Sequence, residues 1–429
     1  MIKQFILETA SISQLFSHQI IWNMHANYYI DEQATKADPL KSTFEQITQE
    51  IVDKMHEEEK RFYEREFNFF EKVTSISGTL KPLVKKAKEE KKAKIDEEMS
   101  KITVDPGVYL PSSPEYRLVD IYPKSGRPLQ SHAKAPFMAT FKVEIESEND
   151  KSQMITVDKS VIFKVGDDCR QDVLALQIIR LANEVFKEAH LGLFLYPYRV
   201  IATNPGCGII EVIPNSISRD QLGREQINSL YDYFVLKFGP EGTISFAKEV
   251  FYSKSCCIFN CFLPFGHQRS AQWKYHGRRF WPHNPYWYVS VFIQLLDFGY
   301  ILDISPGGIN FESVPFKLTK EMLQLLGNST DSPYYLEFKE LCIKAFLSLR
   351  PYADEFVQVA ALMLESGLPC FKYGPSSIAR FKSRFKVDLS LSDAKAYIAH
   401  AQKCMMNFSV KQTQSRIELM EPINFGMFI

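Results

Sequence analysis

The 429-residue chain has no excess of charge of either sign: 51 Lys and Arg face 51 Asp and Glu. That balance removes the global basic bias expected of a nucleic-acid binder. No uninterrupted apolar run is long enough to cross a bilayer. No N-terminal stretch joins a basic start, an apolar core and a small-residue cleavage site, so a cytosolic protein is expected. The eight cysteines contain no paired Cys-x-x-Cys, and their one cluster, Cys256, Cys257 and Cys261, lacks histidines at suitable offsets. They read as reduced thiols, not as a metal site. Internal repeats and low-complexity tracts are absent too, which argues against a repeat array.

What is present suffices for two or three domains and a substantial core. Residues 1 to about 100 predict helices. Phe5 through Trp22 carries apolar residues at helical spacing, and Ile47, Ile51, Met55, Phe62, Phe67, Phe69 and Phe70 form a second amphipathic pattern. Glu57 to Arg61 fits a solvated face, and the mixed-sign run from Lys85 to Lys94 fits a solvated helix. Composition changes at Asp105-Pro106-Gly107, and Pro111 and Pro114 follow. Strands are then predicted over 137–145, 154–165, 198–202 and 208–213, with a helix over 172–189. From Asp220 onward helices dominate.

The stretch Val161-Ile162-Phe163-Lys164-Val165-Gly166-Asp167-Asp168-Cys169-Arg170-Gln171-Asp172 is the most informative. An apolar strand ends on a lysine, a Gly-Asp-Asp turn follows, and Arg170-Gln171-Asp172 opens a helix. An unpaired buried ammonium is costly, so Lys164 needs an anion, and a nucleotide phosphate is one candidate. A lysine snorkelling to solvent is the plainer alternative. Between two strands, Gln130 to Pro136 places Ser131, exposed amides and Lys134 in a hairpin turn that could hold phosphates, as could any polar hairpin. Gly208 to Pro214 is an apolar strand running into a linker, able to present main-chain groups to a flat base.

The lysine strand resembles that of the phosphatidylinositol 3-/4-kinase superfamily, whose pattern reads I-F-K-x-G-D-D-x-R-Q-D. Further stretches resemble its type III alpha phosphatidylinositol 4-kinases: Ser17 to Met24, Phe62 to Phe70, Asp303 to Glu312, Leu349-Arg350-Pro351-Tyr352 and Leu368-Pro369-Cys370-Phe371. The resemblance implies an α+β fold, a bilobal lipid-kinase (protein-kinase-like) catalytic domain preceded by an all-α helical region. Its parts would be the end of the helical region over 1–100, an N-lobe over 101–214 and a C-lobe over 215–429. It implies ATP and Mg2+ as cofactors. Ser131, Lys134 and Lys164 would meet the nucleotide phosphates. Asp172 would help position the site near Tyr198, the Glu211 carbonyl and Ile213 amide would meet adenine, and Asp297 of Asp297-Phe298-Gly299 would bind the metal. Partners implied are a phosphatidylinositol membrane, with adaptor and membrane-anchor proteins, at the cytosolic face of the plasma membrane. No nucleic acid is expected.

One family element is missing. The superfamily places Asp-Arg-His-Asn-x-Asn ahead of Asp-Phe-Gly, to orient the lipid hydroxyl and hold the second metal position. Here the block from about 255 to 294 is rich in Trp, Tyr, Pro and His without periodicity. Permitted codons for His267 to Tyr275, read one base on, spell Ile-Lys-Asp-Arg-His-Asn-Gly-Asn, so an out-of-frame block is expected. His267, His276 and His283 are then by-products of the frame, and Arg269, Arg278 and Arg279 take no phosphate role. Catalytic-loop residues cannot be assigned. The ending from Lys411 to Ile429 starts polar and breaks at Pro422, so it is not expected to form the family's membrane-facing helix. Beside the lipid-kinase reading stand a non-catalytic nucleotide-binding or scaffold protein, and a helical fragment whose first hundred residues matter most.

Overall fold

The computed structural model describes residues 1–129, 135–147, 150, 152–193, 195–213, 216–218, 222–223, 225–227, 229–239, 298, 301–302 and 320–401. For 218, 238, 273–278 and 290–295 it describes the backbone alone. The chain divides into two units.

The first unit comprises Met1–Val173, Tyr198–Val212 and Ser366–Leu368. It opens with five helices: α1 (Ile2–Ile12), α2 (Gln14–Ala26), α3 (Lys41–Lys54), α4 (Glu57–Thr79) and α5 (Lys88–Ser100). The apolar pattern from Phe5 to Trp22 is thus two helices rather than one. The break is at Ser13, which leaves helical geometry and accepts a hydrogen bond from the Phe16 amide at 3.2 Å. Three glutamates, Glu57 to Glu59, sit in the first turn of α4, where carboxylates suit the helix dipole.

A curled antiparallel sheet follows, in the order β1 (Tyr109–Leu110), β2 (Ser113–Ile121), β4 (Phe137–Glu146), β5 (Met154–Val165), β7 (Cys207–Glu211), β6 (Val200–Asn204), with β3 (Arg127–Pro128) beside β4. In β4 the buried Phe137, Ala139, Phe141 and Val143 alternate with more exposed neighbours, the period of a half-buried strand. The end of β5 differs: Val161, Ile162, Phe163 and Lys164 are all buried. This strand end lies between β4 and β7, and α4 packs against β5. Helices and sheet share one core, in which Trp22 stacks on Phe67 with centroids 3.8 Å apart and Phe137 on Phe163 at 5.3 Å.

Helix α6 (Cys169–Glu188) starts in the first unit and continues into the second. It begins three residues before Asp172, because the Asp168 carboxylate accepts the Arg170 amide at 3.0 Å and starts the helix there. Strand β7 stops at Glu211, two residues short of the apolar run's end.

The second unit comprises Leu174–Pro197, Ile213–Glu365 and Pro369–Ile429. Its described helices span Leu230–Phe238, Lys320–Leu325, Pro333–Leu349, Ala353–Ala361 and Pro375–Ser383. Proline opens Pro333–Leu349, where its missing N–H costs nothing. A small antiparallel sheet runs β10 (Ser290–Leu295), β9 (Trp273–Arg278), β8 (Ser216–Ser218). Asn183 and Leu195 bond reciprocally at 2.6 and 2.8 Å, holding the chain that leaves α6. Arg350 donates to the carbonyls of Lys386 and Leu389 at 2.7 and 2.6 Å.

Candidate functional site

Lys164 ends β5 with 9% of its surface exposed. Its strand register faces Gly208 of β7. A side chain at Gly208 would place Cβ 2.6 Å from Cys169 Sγ, so glycine is what lets the first residue of α6 lie against the strand. The turn that follows is fixed by its own amides. Gly166, at φ 92°, and Asp167 both donate to the Gly206 carbonyl, at 2.6 and 3.2 Å. The ammonium of Lys164 pairs with Asp167 in that turn at 3.2 Å, and the Asp167 side chain is about one third exposed.

The arginine of the motif does not face a ligand. Arg170 is 5% exposed and binds Asp168 through Nε at 2.9 Å and Nη2 at 2.7 Å. The same guanidinium donates to the Ile30 carbonyl at 2.9 Å, to Asn27 Oδ1 at 3.1 Å and to the Ser366 carbonyl at 3.4 Å. It ties the start of α6 to two remote loops. Cys169 is buried beside it, and burial pushes its thiol well above the usual range. The nearby Lys164 pulls the other way, and Asp172, Asp167 and Asp168 add to the upward push. The structure thus gathers Lys164 and Asp172 around one thiol, with Asp172 buried at 2% exposure.

Tyr198 is fully buried, and the residue after it meets Glu211. The Glu211 carboxylate accepts the Arg199 amide at 3.0 Å and the Lys159 ammonium at 2.7 Å, while its own amide donates to the Arg199 carbonyl at 2.8 Å. Lys159 also lies 4.8 Å from the centre of the Tyr116 ring. The Glu211 side chain therefore has a structural task, independent of the carbonyl expected to meet adenine. Ile213 is buried.

Ser131 and Lys134 lie outside the described residues, but the base of their loop is described. Leu129 donates to the Pro136 carbonyl at 2.9 Å, and the buried Ser77 hydroxyl of α4 donates to the Ala135 carbonyl at 2.8 Å. Asp297 also lies outside, as do most of block 255–294, residues 303–317 and the ending from Lys411. Phe298 is buried. Leu302 takes φ 59°, uncommon for a leucine, and Arg384 holds its carbonyl at 3.1 Å. Among the described residues no group of three or more His, Cys, Asp or Glu is arranged to hold a metal.

Sequence reasoning missed Ser77, the Arg170 clamp and the Lys159–Glu211 pair. Only the last left a trace, as a lysine in a strand that is apolar from Val161 on. The described residues fit a nucleotide phosphate at one point: a nearly buried cation paired with a carboxylate of a partly exposed turn.

A model of the phosphatidylinositol 3- and 4-kinase family matches residues 158–277 and 294–373. Phosphatidylinositol 4-kinase stt4 of Schizosaccharomyces pombe is 48% identical over 421 residues, covering 93% of this chain and 22% of that protein. Phosphatidylinositol 4-kinase STT4 of Saccharomyces cerevisiae is 48% identical over 404 residues, 92% of this chain and 21% of that protein. The chain thus spans about a fifth of the length of these relatives. Phosphatidylinositol 4-kinase alpha 2 of Arabidopsis thaliana is 36% identical over 93% of this chain and 73% of its own length. With identity of this order running beyond the lysine strand and through nearly the whole sequence, the chain belongs to the phosphatidylinositol 4-kinases of the phosphatidylinositol 3- and 4-kinase family.

Proposed function

We propose that the chain carries the catalytic domain of a 1-phosphatidylinositol 4-kinase, which transfers the γ-phosphoryl group of ATP to the 4-hydroxyl of phosphatidylinositol. The observation that carries this is Lys164, held nearly buried at a strand end and paired with the turn carboxylate of Asp167. An incoming phosphate would replace Asp167 as its partner. Ser131 and Lys134 would hold the phosphates from the hairpin that Ser77 anchors. Asp172 and Tyr198 would keep the lysine and the β6–β7 edge in place, and the Glu211 carbonyl and Ile213 amide would receive adenine. Asp297 would hold magnesium, which when bound neutralises phosphate charge.

In the same reading, residues 1–100 are the end of a helical region, 101–214 the N-lobe and 215–429 the C-lobe. The protein would work peripherally at the cytosolic face of the plasma membrane, with adaptor and membrane-anchor proteins and without nucleic acid. No described helix is long and apolar enough to cross a membrane.

A second reading has its own support: a protein that binds nucleotide without turnover. The sequence contains no Asp-Arg-His-Asn, and the family match leaves 278–293 unmatched, inside the expected out-of-frame block. Transcript sequencing across the codons for Ser253 to Asp297 decides the origin of that block. Restoration of Asp-Arg-His-Asn-Gly-Asn supports an active kinase, and a faithful transcript supports the second reading. Binding of a fluorescent ATP analogue, lost in Lys164→Met, tests the site itself. If neither this chain nor one with the loop restored binds nucleotide, both readings are wrong.

A further inference from the structure

The first unit contains a cavity of about 320 Å³ that the nucleotide reading does not use. One wall is a face of α4 (Phe70, Glu71, Thr74, Ser75, Gly78), and Trp22 of α2 closes the floor. The other wall is the end of β5 with the β6–β7 turn: Val165, Thr203, Asn204 and Cys207. Trp22, Phe70, Thr74 and Thr203 are buried, whereas Glu71, Ser75 and Gly78 are exposed and form the mouth. The volume lies at the lower end of the range for small-molecule sites.

Two features point to a ligand. Thr203 is 2% exposed, yet its hydroxyl has no hydrogen-bond partner among the described residues. A buried hydroxyl without a partner costs free energy that a bound polar atom would recover. Among the described lining residues Glu71 alone is charged, which disfavours an anion and favours a cation. An aromatic floor, one orphaned hydroxyl and one carboxylate at the mouth match a flat ring carrying a heteroatom and an amine.

We propose that this cavity is a binding site for a small aromatic amine, and that its occupancy changes nucleotide affinity. The coupling rests on the nucleotide reading and has two short routes. Val165 in the wall follows Lys164 directly, and the cavity-lining turns of α4 flank Ser77, which anchors the candidate phosphate loop.

The test uses the full chain and two probes of opposite charge, tryptamine and indole-3-acetate. Cys207 is partly exposed and its free thiol lines the cavity, so its modification by N-ethylmaleimide, followed by peptide mass spectrometry, reports occupancy. Saturating tryptamine should slow modification of Cys207 about fivefold or more and raise Tm, while indole-3-acetate does neither. Two variants separate binding from folding. A Cβ at Gly78 meets nothing within 4 Å, so Gly78→Leu should fold, fill the space and abolish protection. Thr203→Val removes the orphaned hydroxyl at constant shape and should weaken protection without lowering Tm. Unprotected Cys207, or equal protection in Gly78→Leu, overturns the site. Equal protection by both probes overturns the amine assignment. If tryptamine binds and ATP affinity stays the same, the coupling is wrong. If ATP does not bind at all, the nucleotide reading fails while the cavity result stands.

Discussion

Two lysines on β5 show how one strand can carry opposite solutions to the same problem. Lys159 and Lys164 are each 9% exposed, and their odd separation places them on opposite faces of the strand. Lys159 is matched by Glu211, itself buried and further held by the Arg199 amide. Lys164 is matched by Asp167, in a turn about one third exposed. A cation with a buried, multiply bonded counterion is committed to the fold. A cation paired with a partly exposed carboxylate lies where a ligand can reach it. Burial alone does not mark the functional lysine; the exposure of its partner does.

That contrast can be broken in order of expected size. Lys159→Met leaves the Glu211 carboxylate buried without its ammonium and should cost about 3–5 kcal/mol, measured by urea unfolding. A loss below about 1 kcal/mol would mean that Glu211 is satisfied without Lys159. His25 supplies a pH-dependent comparison within the same unit. Burial among Trp22, Tyr28 and Phe67 lowers its pKa from 6.5 to about 4, so the folded state prefers the neutral ring. Its contribution is therefore complete above pH 6.5 and is lost as pH falls from 6.5 towards 4, by up to about 3 kcal/mol. Unfolding curves at pH 7 and 4.5 should show the loss, and His25→Phe should flatten it.

Lys164→Met should leave stability within about 1 kcal/mol of the parent but weaken nucleotide binding roughly 10–100-fold, as loss of a charged hydrogen bond does. Calorimetric titration reads this directly, and an unchanged affinity would make Lys164 as structural as Lys159. The smallest effect belongs to Asp167→Asn. Removing a partly exposed partner should alter stability by less than about 1 kcal/mol and tighten nucleotide binding by no more than about fivefold. Weaker binding would show that Asp167 positions the lysine instead of competing for it.

The strand bearing Lys164 was legible in the sequence because a continuous apolar run ends sharply at a Gly-Asp-Asp turn. Its observed limits, Met154–Val165, are those the pattern predicts. The mixed-sign run from Lys85 to Lys94 was legible only in part: the helix spans Lys88–Ser100, and beyond the run Ile95 and Met99 are fully buried in the core. The split at Ser13 was not legible, because the apolar spacing continues across it and only the capping hydroxyl marks the break. Lys159 and Glu211 lie 52 residues apart and meet only through the β5–β7 register. Arg170 was equally opaque: apart from Asp168, its partners Asn27, Ile30 and Ser366 stand more than a hundred residues away. Periodicity reports which face of an element is buried, and says nothing of which distant polar groups meet there.

The core shared by the five helices and the curled sheet has a consequence for how the first unit comes apart. Phe67, Phe70, Phe137, Phe141 and Phe163 belong to one cluster, so no layer of it can be lifted away without wetting the others. Amides of α4 and of β4 and β5 should accordingly exchange with solvent deuterium through a single concerted opening, at one common free energy. A protease would find its first sites outside that cluster, and a lesion in a helix would be felt as lost protection in the strand that ends on Lys164.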